Sequence, residues 1–231
     1  MSTETDTGTP EPLRLQVYRQ LRDDVMNGSV RVGDRMTEPK LAARFGISRT
    51  PVREALAMLV SDGLIRREDY GFSPQPPSIP RIRNLYELRI TLELQGITRA
   101  LDDPAVRHDR TALESERTRW RALADDPPAQ EPGFVVADEE FHVALLASSG
   151  NTELVTALES VNSRIRHVRM YDFMVNSRIE TSIAEHLGIL DAVLDDDLPT
   201  ARTLLHRHIG ESLSVVLDRV TRAVTAMSLA D

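Results

Sequence analysis

The spacing of apolar residues predicts three short helices and a hairpin in the first third of the chain. Apolar side chains recur at helical intervals from Leu13 to Val25, from Leu41 to Phe45 and from Val52 to Leu59. The stretch Leu64–Phe72, which follows Asp62-Gly63, has the pattern of two short strands around a turn. Three small helices followed by a β-ribbon is the order of elements in a winged helix-turn-helix.

A proline-rich segment separates this region from a longer helical one. Gly71–Pro80 contains four prolines and two serines, a composition that stops helices and favours an extended connector. Beyond it the apolar periodicity is helical nearly throughout. We therefore predict a mainly α protein with a winged helix-turn-helix domain at residues 11–73, a linker at 74–80, and an all-α antiparallel bundle of six to seven helices at 81–231.

Composition limits the chemistry and the cellular setting. The 231 residues include no cysteine, which excludes disulfides, cysteine-based zinc sites and thiol catalysis. No apolar run approaches the roughly 20 residues that span a bilayer. The first ten residues are polar and acidic and lack the features of a signal peptide, so we expect a cytoplasmic protein without a membrane partner.

The charge is distributed unevenly along the chain. The net charge is -8, but Glu11–Gly71 carries 11 basic and 9 acidic residues, whereas Phe72–Asp231 carries 17 and 25. A slightly basic front and an acidic back are expected when only one domain contacts a polyanion. A chance fluctuation would give the same asymmetry, so charge alone does not establish nucleic-acid binding.

The run Gly46–Leu56, GISRTPVREAL, carries the most specific chemistry of the front domain. It places Arg49, Thr50 and Arg53 on the start and first turn of a helix, where free backbone N–H groups and the helix dipole favour anions. An arginine can donate two hydrogen bonds to guanine, and a threonine can hydrogen-bond a phosphate. The alternative for each arginine is an ordinary solvated surface charge.

The stretch Thr37–Arg67 resembles the DNA-binding domain of the GntR family of bacterial transcription regulators. The shared residue types include Leu41-Ala42, Phe45-Gly46, the SRT and VREAL segments of the third helix, and the DGL segment after it. The resemblance implies that Arg49, Thr50 and Arg53 contact double-stranded DNA. It also places Gly71 where the wing of the family enters the minor groove, although the Glu68-Asp69 pair beside it differs from the basic tip of many members.

Four potential metal ligands lie on three predicted helices of the back domain. Asp138 and His142 are four residues apart and therefore share a helix face, while His186 and His208 lie among apolar residues on later helices. Bundles build metal sites from inward-facing side chains of this kind. Three imidazoles and a carboxylate suit zinc first, with nickel or another divalent transition ion as the alternative.

The remaining histidines are expected to play no part in such a site. His108 lies in a charged turn and His167 in an arginine-rich run, so both are expected to be solvated. His206 precedes His208 by two residues and points to a different side of the helix. His208 is the one expected to face inward.

The stretch from about Leu85 to Leu217 resembles the FCD ligand-binding domain of the FadR-type subfamily of GntR regulators. The marks of the resemblance are YELRITLE near the start and an Asp-xxx-His segment at Asp138–His142, followed by His186 and His208 in order. The resemblance implies that these four side chains bind a divalent metal ion. It also implies that Arg89 lines the effector pocket and pairs with an acid group.

Two arginine assignments stay open from the residues alone. Arg89 can equally form a surface ion pair with Glu93, four residues later. The cluster of Arg164, Arg166 and Arg169 can face the effector pocket, but a solvated helix face is the preferred interpretation.

Together these features predict a homodimeric, ligand-responsive transcription regulator rather than an enzyme. We expect it to bind a near-palindromic DNA operator and to sense a small organic or sugar acid through its metal-containing domain. The alternatives are a metal-dependent hydrolase or lyase acting on a small carboxylate, a metal-free site for an acyl-CoA-type effector, and a purely structural scaffold. A hydrolase lacks a clear general base here, and a scaffold leaves GISRTPVREAL unexplained.

Overall fold

A computed structural model describes residues 11–27, 29–30, 34–175 and 177–228 of this mainly α-helical chain. The first ten residues, which entered the expectation of a cytoplasmic protein, and the last three, which end the predicted back domain, lie outside the described residues. The described residues divide into two compact units, one made mainly of residues 11–76 and the other of Pro77–Thr225. The prediction of a winged helix-turn-helix followed by an all-α domain is confirmed.

The first unit consists of three helices and a two-stranded antiparallel sheet. The elements are α1 (Leu13–Met26), α2 (Glu38–Phe45), α3 (Arg49–Ser61), β1 (Ile65–Glu68) and β2 (Gly71–Pro74). The core lies mainly between α1 and α3, where Leu21, Val52 and Leu56 are fully buried. Gly46 ends α2 in the left-handed conformation, with φ of +66°. This tight turn brings the amino terminus of α3 to the surface.

Gly71 is required by the backbone where the hairpin meets the segment before α2. Its φ is +105°, and a Cβ atom placed there would lie 2.4 Å from the carbonyl oxygen of Met36. Met36 and Phe72 exchange two backbone hydrogen bonds of 2.8 Å, which adds Met36 to the sheet as a short bridge. A side chain at position 71 would separate these two backbones.

Replacing Gly71 with alanine should destabilise the first unit by at least about 2 kcal/mol, because the substitution adds both left-handed strain and a backbone clash. Hydrogen exchange of the Met36 and Phe72 amides should become much faster. Gly46→Ala is the matched control, since its Cβ would meet nothing within 4 Å and only the strain of about 1 kcal/mol remains. The proposed clash would be contradicted if the Met36 and Phe72 amides exchanged hydrogen at the same rate in Gly71→Ala and Gly46→Ala.

The second unit is built from helices that pack around a shared core. They are α4 (Ile79–Asp102), α5 (Arg110–Asp125), α6 (Val135–Ala147), α7 (Thr152–Arg169), α8 (Arg178–Leu194) and α9 (Leu198–Ser228). Two short 3-10 turns, Pro132–Phe134 and Asp172–Met174, precede α6 and α8. Among the described residues, no helix is long and apolar enough to cross a membrane.

The connector between the units is shorter than the linker of residues 74–80 that the sequence indicates. Pro74 belongs to β2, and Pro80 lies in the first turn of α4, where a proline costs no hydrogen bond. Only residues 75–78 lie between these two elements. The proline content therefore indicated the position of the boundary, but the helix begins inside the proline-rich run.

Candidate functional site

The structure brings the four predicted metal ligands together in the interior of the second unit. Asp138 and His142 lie on α6, His186 on α8 and His208 on α9. One ligand atom from each lies within 4.8 Å of all the others. The exposed fraction of each residue is 3% or less. Residues as far apart as positions 138 and 208 in the sequence thus form one compact cluster.

The imidazole nitrogens of this cluster are separated by the distance expected for ligands of one ion. The Nε2 atom of His208 lies 3.2 Å from Nε2 of His142 and 3.2 Å from Nε2 of His186. Two nitrogens bound to one tetrahedral zinc ion lie roughly 3.4 Å apart, because each Zn–N bond is about 2.1 Å. Oδ1 of Asp138 is 3.3 Å from Nε2 of His186, so a carboxylate oxygen joins the same cluster.

Two carboxylates fix the tautomers of the histidines. Nδ1 of His142 lies 2.5 Å from Oε2 of Glu93, and Nδ1 of His208 lies 2.7 Å from Oε2 of Glu185. An ionised carboxylate can only accept a hydrogen bond, so both Nδ1 atoms carry the proton. The Nε2 atoms of these two neutral rings then present lone pairs toward each other. This is how metal-binding histidines are commonly held by an outer carboxylate.

Burial keeps these histidines in the neutral form that binds metal. It lowers the pKa of His142, lowers the pKa of His186 well below its ordinary value, and lowers the pKa of His208 to about 4. Burial alone would raise the pKa of Glu93, but Arg89 and His142 outweigh it and lower this pKa. Burial would raise the pKa of Glu185, but its contacts with His208 and Arg178 together lower this pKa to about 2. The site therefore combines neutral rings with ionised carboxylates.

Arg169 holds the carboxylate of Asp138, and this corrects the expectation that Arg169 lies on a solvated helix face. It is 2% exposed and contacts Oδ2 of Asp138, which leaves Oδ1 facing the histidines. Arg169 also lies 3.3 Å from Glu139, which pairs at 2.6 Å with the partly exposed Arg166. Of the three clustered arginines only Arg164 is exposed, because residue 169 falls on the face of α7 that packs against α6.

Arg89 forms the ion pair with Glu93, but in the interior rather than on the surface. Its Nε lies 2.6 Å from Oε1 of Glu93, and the side chains are each 1% exposed. Since Glu93 also contacts His142, one carboxylate connects Arg89 to a predicted metal ligand. The Nη2 atom of Arg89 is buried and has no hydrogen-bond partner among the described residues. It therefore remains able to pair with an acid group.

The other histidines lie away from the cluster, but two are less solvated than expected. His206 is exposed, as the helical spacing indicates. His108 is partly buried, with Nδ1 2.8 Å from Oγ of Ser148, and His167 is partly buried on α7. Burial and the nearby Arg81 lower the pKa of His167 to about 4. The expectation that both are solvated was wrong. For His167 it rested on the neighbouring basic residues, although the histidine itself packs against the protein.

His167 should make the protein less stable as the pH falls. Its pKa is lower in the folded chain than in the unfolded one, so its contribution to stability is complete above pH 6.5 and is lost between pH 6.5 and about 4. His167→Gln should reduce the loss of unfolding free energy between pH 7 and pH 5 by about 2 kcal/mol. His206→Gln, at an exposed position, should leave that loss unchanged. The role of His167 would be refuted if the unaltered protein, His167→Gln and His206→Gln had the same dependence of unfolding free energy on pH.

In the first unit, the predicted DNA-contacting residues lie on an accessible helix start. Arg49 and Thr50 are exposed in the first turn of α3. Arg53 is exposed by 66% and forms two hydrogen bonds with the Glu38 carboxylate, of 3.0 and 2.8 Å. The hydrogen bonds from Arg53, together with the charge of the nearby Arg49, lower the pKa of Glu38. The sequence analysis missed Glu38, whose charge fixes the orientation of the Arg53 guanidinium group.

The wing presents different residues from those expected at its tip. Asp69 and Tyr70 form the two-residue turn, since Glu68 pairs with Gly71 in the register of the hairpin. Tyr70 is 82% exposed. A cleft of about 660 Å³ lies between α3 and the wing and is lined in part by Arg53, Arg67 and Tyr70. A DNA contact by Gly71 stays a prediction, beside the structural role that its backbone already has.

Comparison with known proteins matches both units. Residues 13–71 match the model of the bacterial regulatory proteins of the gntR family, and residues 84–211 match the FCD domain. The chain is 32% identical to the uncharacterized HTH-type transcriptional regulator YdhC of Bacillus subtilis over 213 residues, 90% of this chain and 94% of YdhC. It is 33% identical to the Nta operon transcriptional regulator of Aminobacter aminovorans, over 86% of this chain and 93% of the relative.

A solved structure of the same class covers most of the chain. It is that of a putative GntR transcriptional regulator from Rhodococcus sp. RHA1, with a TM-score of 0.56 and 26% identity. The match covers 89% of this chain and 97% of that one. The likeness therefore includes the order of the two units as well as each of them.

Proposed function

This chain belongs to the GntR family of DNA-binding transcription regulators and carries an FCD domain, and we propose that it senses a small carboxylic acid through a divalent metal ion held by Asp138, His142, His186 and His208. The observation that carries the proposal is the meeting of three buried Nε2 atoms, two of which have their lone pairs fixed toward each other. The two fixed lone pairs, on His142 and His208, repel each other across 3.2 Å unless a cation lies between them, and Nε2 of His186 lies at the same distance from His208.

The donor set fits zinc or a similar transition ion. Three imidazole nitrogens and one carboxylate oxygen match the ligand preferences of zinc, and nickel is the next candidate. A bound divalent ion would supply a positive charge, and an ion that expands beyond these four protein ligands, as zinc can to five, would offer a coordination position to an oxygen of an acid. The protein itself orients two rings through Glu93 and Glu185 and holds Asp138 through Arg169.

The charge around the ligands also favours a cation together with an anion. Among the described residues that are buried or half-buried, contacts that start at the four ligands reach four arginines, Arg89, Arg166, Arg169 and Arg178, and five carboxylates, Asp138, Glu139, Glu93, Glu185 and Asp172. With neutral histidines this network has one negative charge in excess. A divalent cation reverses the sign, and one bound carboxylate then restores neutrality. Burying an unbalanced charge is costly, so the network favours binding of both.

The link to DNA follows from the arrangement that the family implies. We propose a homodimer that places two copies of α3 on the half-sites of a near-palindromic operator. An acid that binds both the metal and Arg89 is held by side chains of α4, α6, α8 and α9. It changes DNA affinity to the extent that it binds the DNA-competent and incompetent forms unequally. The relatives are regulators, so the hydrolase or lyase alternative is set aside.

A thermal-shift screen tests the sensing proposal. Zinc-loaded protein and protein stripped with a chelator are each heated with a panel of organic and sugar acids. A cognate acid at about 100 times its Kd should raise the Tm by roughly 5 to 10 °C in the loaded protein only. Arg89→Gln should abolish the shift, whereas Arg83→Gln, at an exposed position on the same helix, should retain it. Shifts that are equal with and without metal would refute metal-dependent sensing.

A further inference from the structure

Arg178 lies close to the metal cluster and was not predicted from the sequence. Its Nη1 atom lies 3.2 Å from Oε2 of Glu185, whose same oxygen is 2.7 Å from Nδ1 of His208. Arg178 is therefore connected to a metal ligand through one carboxylate, as Arg89 is connected to His142 through Glu93. The Arg178 contact with Glu185 shows that its guanidinium group extends along α8 toward the metal ligands.

One face of α8 carries polar atoms without partners from this arginine to the metal ligand. Arg178, Ser182 and His186 follow one another at intervals of four residues and therefore lie along one side of the helix. Nη2 of Arg178 and Oγ of Ser182 are buried without a hydrogen-bond partner among the described residues. Ser182 is fully buried and Arg178 is 7% exposed. A buried polar group without a partner is costly, which points to a ligand that supplies the missing bonds.

The two arginines differ in charge balance, and the difference indicates what each can bind. Arg89 pairs with the single carboxylate of Glu93, at 2.6 Å. Arg178 pairs with two, Asp172 at 2.9 Å and Glu185 at 3.2 Å. A further carboxylate at Arg178 would be the third negative group around one positive charge. A neutral hydroxyl group can instead accept a hydrogen bond from Nη2 without this repulsion.

Building on the proposed function, we propose that the effector is a polyhydroxy acid, with its carboxylate near Arg89 and its hydroxyl groups on Ser182 and Arg178. Ser182 suits a hydroxyl partner because its own hydroxyl can both donate and accept. The arrangement selects against plain aliphatic acids, which would leave both groups of α8 without partners. It also selects against dicarboxylates, which would place a second negative charge next to Asp172 and Glu185.

Isothermal titration calorimetry on zinc-loaded protein tests this with acids of equal length. Gluconate is compared with hexanoate and adipate, and glycerate with propanoate and malonate. We expect the better of the two hydroxy acids to bind at least tenfold more tightly than its plain acid and its diacid. Equal or tighter binding of the plain acid or the diacid in both series overturns the proposal, and so does tighter binding of inorganic phosphate.

Ser182→Ala separates a binding role from a structural one. It removes a buried hydroxyl that has no partner within the described chain, so the Tm without ligand should not fall. Affinity for the hydroxy acid should drop by about fivefold or more, while affinity for the plain acid stays the same. Ser214→Ala, at an exposed position on α9, serves as control. An unchanged hydroxy-acid affinity in Ser182→Ala overturns the proposal.

The outcomes also distinguish this inference from the proposed function. Zinc-dependent binding of plain acids or diacids, without preference for hydroxyl groups, removes only the hydroxyl subsite on α8. If no acid shows zinc-dependent binding, both the hydroxyl subsite and the proposed metal-dependent sensing are refuted.

Discussion

Replacing His186 with alanine should reduce bound zinc from one ion per chain to near zero, with a loss of affinity of at least about 100-fold. His186 supplies one of three converging nitrogens, and the structure describes no other histidine or carboxylate within the cluster that could replace it. Zinc content after purification and zinc affinity by competition with a chromogenic chelator are the measurements. The acid-induced Tm shift should disappear in parallel, because in the proposed function the effector binds through the ion.

A second variant guards against a folding defect at this buried position. His186 stacks on Phe141 at 3.7 Å between ring centroids, so alanine leaves a cavity there. Asp138→Asn keeps the shape of the ligand and removes its charge, and it should also weaken zinc binding by at least tenfold. His206→Ala is the matched control, because it removes an exposed histidine two residues from His208. Full zinc occupancy in His186→Ala would remove this residue from the site.

Replacing Arg49 or Arg53 with alanine should abolish selective DNA binding with little change in stability. Each arginine that reads a guanine contributes about 1 to 3 kcal/mol, or roughly 5- to 150-fold in affinity, and a dimer loses the contact twice. Fluorescence anisotropy against a duplex selected from a random pool by the unaltered protein measures the effect. The Tm should fall by little, because exposed ion pairs such as Arg53 with Glu38 stabilise a fold weakly.

Two controls separate base reading from general electrostatics. Arg202→Ala removes the same charge from an exposed site on α9 and should leave DNA affinity nearly unchanged. Glu38→Gln removes the negative charge and one of the two hydrogen bonds that orient Arg53, so it should weaken selectivity more than total affinity. Selective binding that persists in both arginine variants would rule out α3 as the reading helix.

The sequence was sufficient to predict the fold and the inward-facing cluster of Asp138, His142, His186 and His208 because their signals are local or periodic. Apolar spacing located the helices, and Asp138 and His142 share a face at four-residue spacing. His186 and His208 are flanked by apolar residues that must face the core, so their imidazoles had to lie inside. These are properties of single helices, and they do not depend on how the helices pack.

The residues around the ligands could not be predicted because they depend on packing between helices. Glu185 reaches His208 from another helix, and Arg169 reaches Asp138 across α6 and α7. On the printed sequence such charged residues look like ordinary surface positions. Arg169 lies in a basic run that suggested solvent exposure, yet it is almost fully buried. Only the relative rotation of packed helices decides which member of a charged run faces the interior.

The single tryptophan of the chain gives the protein an intrinsic optical reporter. Trp120 is fully buried on α5, and its ring lies edge-on to His186 at 4.3 Å between centroids. Its indole emission therefore arises next to the candidate ligand cluster and from nowhere else in the chain. The proposed binding of zinc and of an effector can thus be tested by fluorescence titration of the unlabelled protein, without a dye that would perturb the buried cluster.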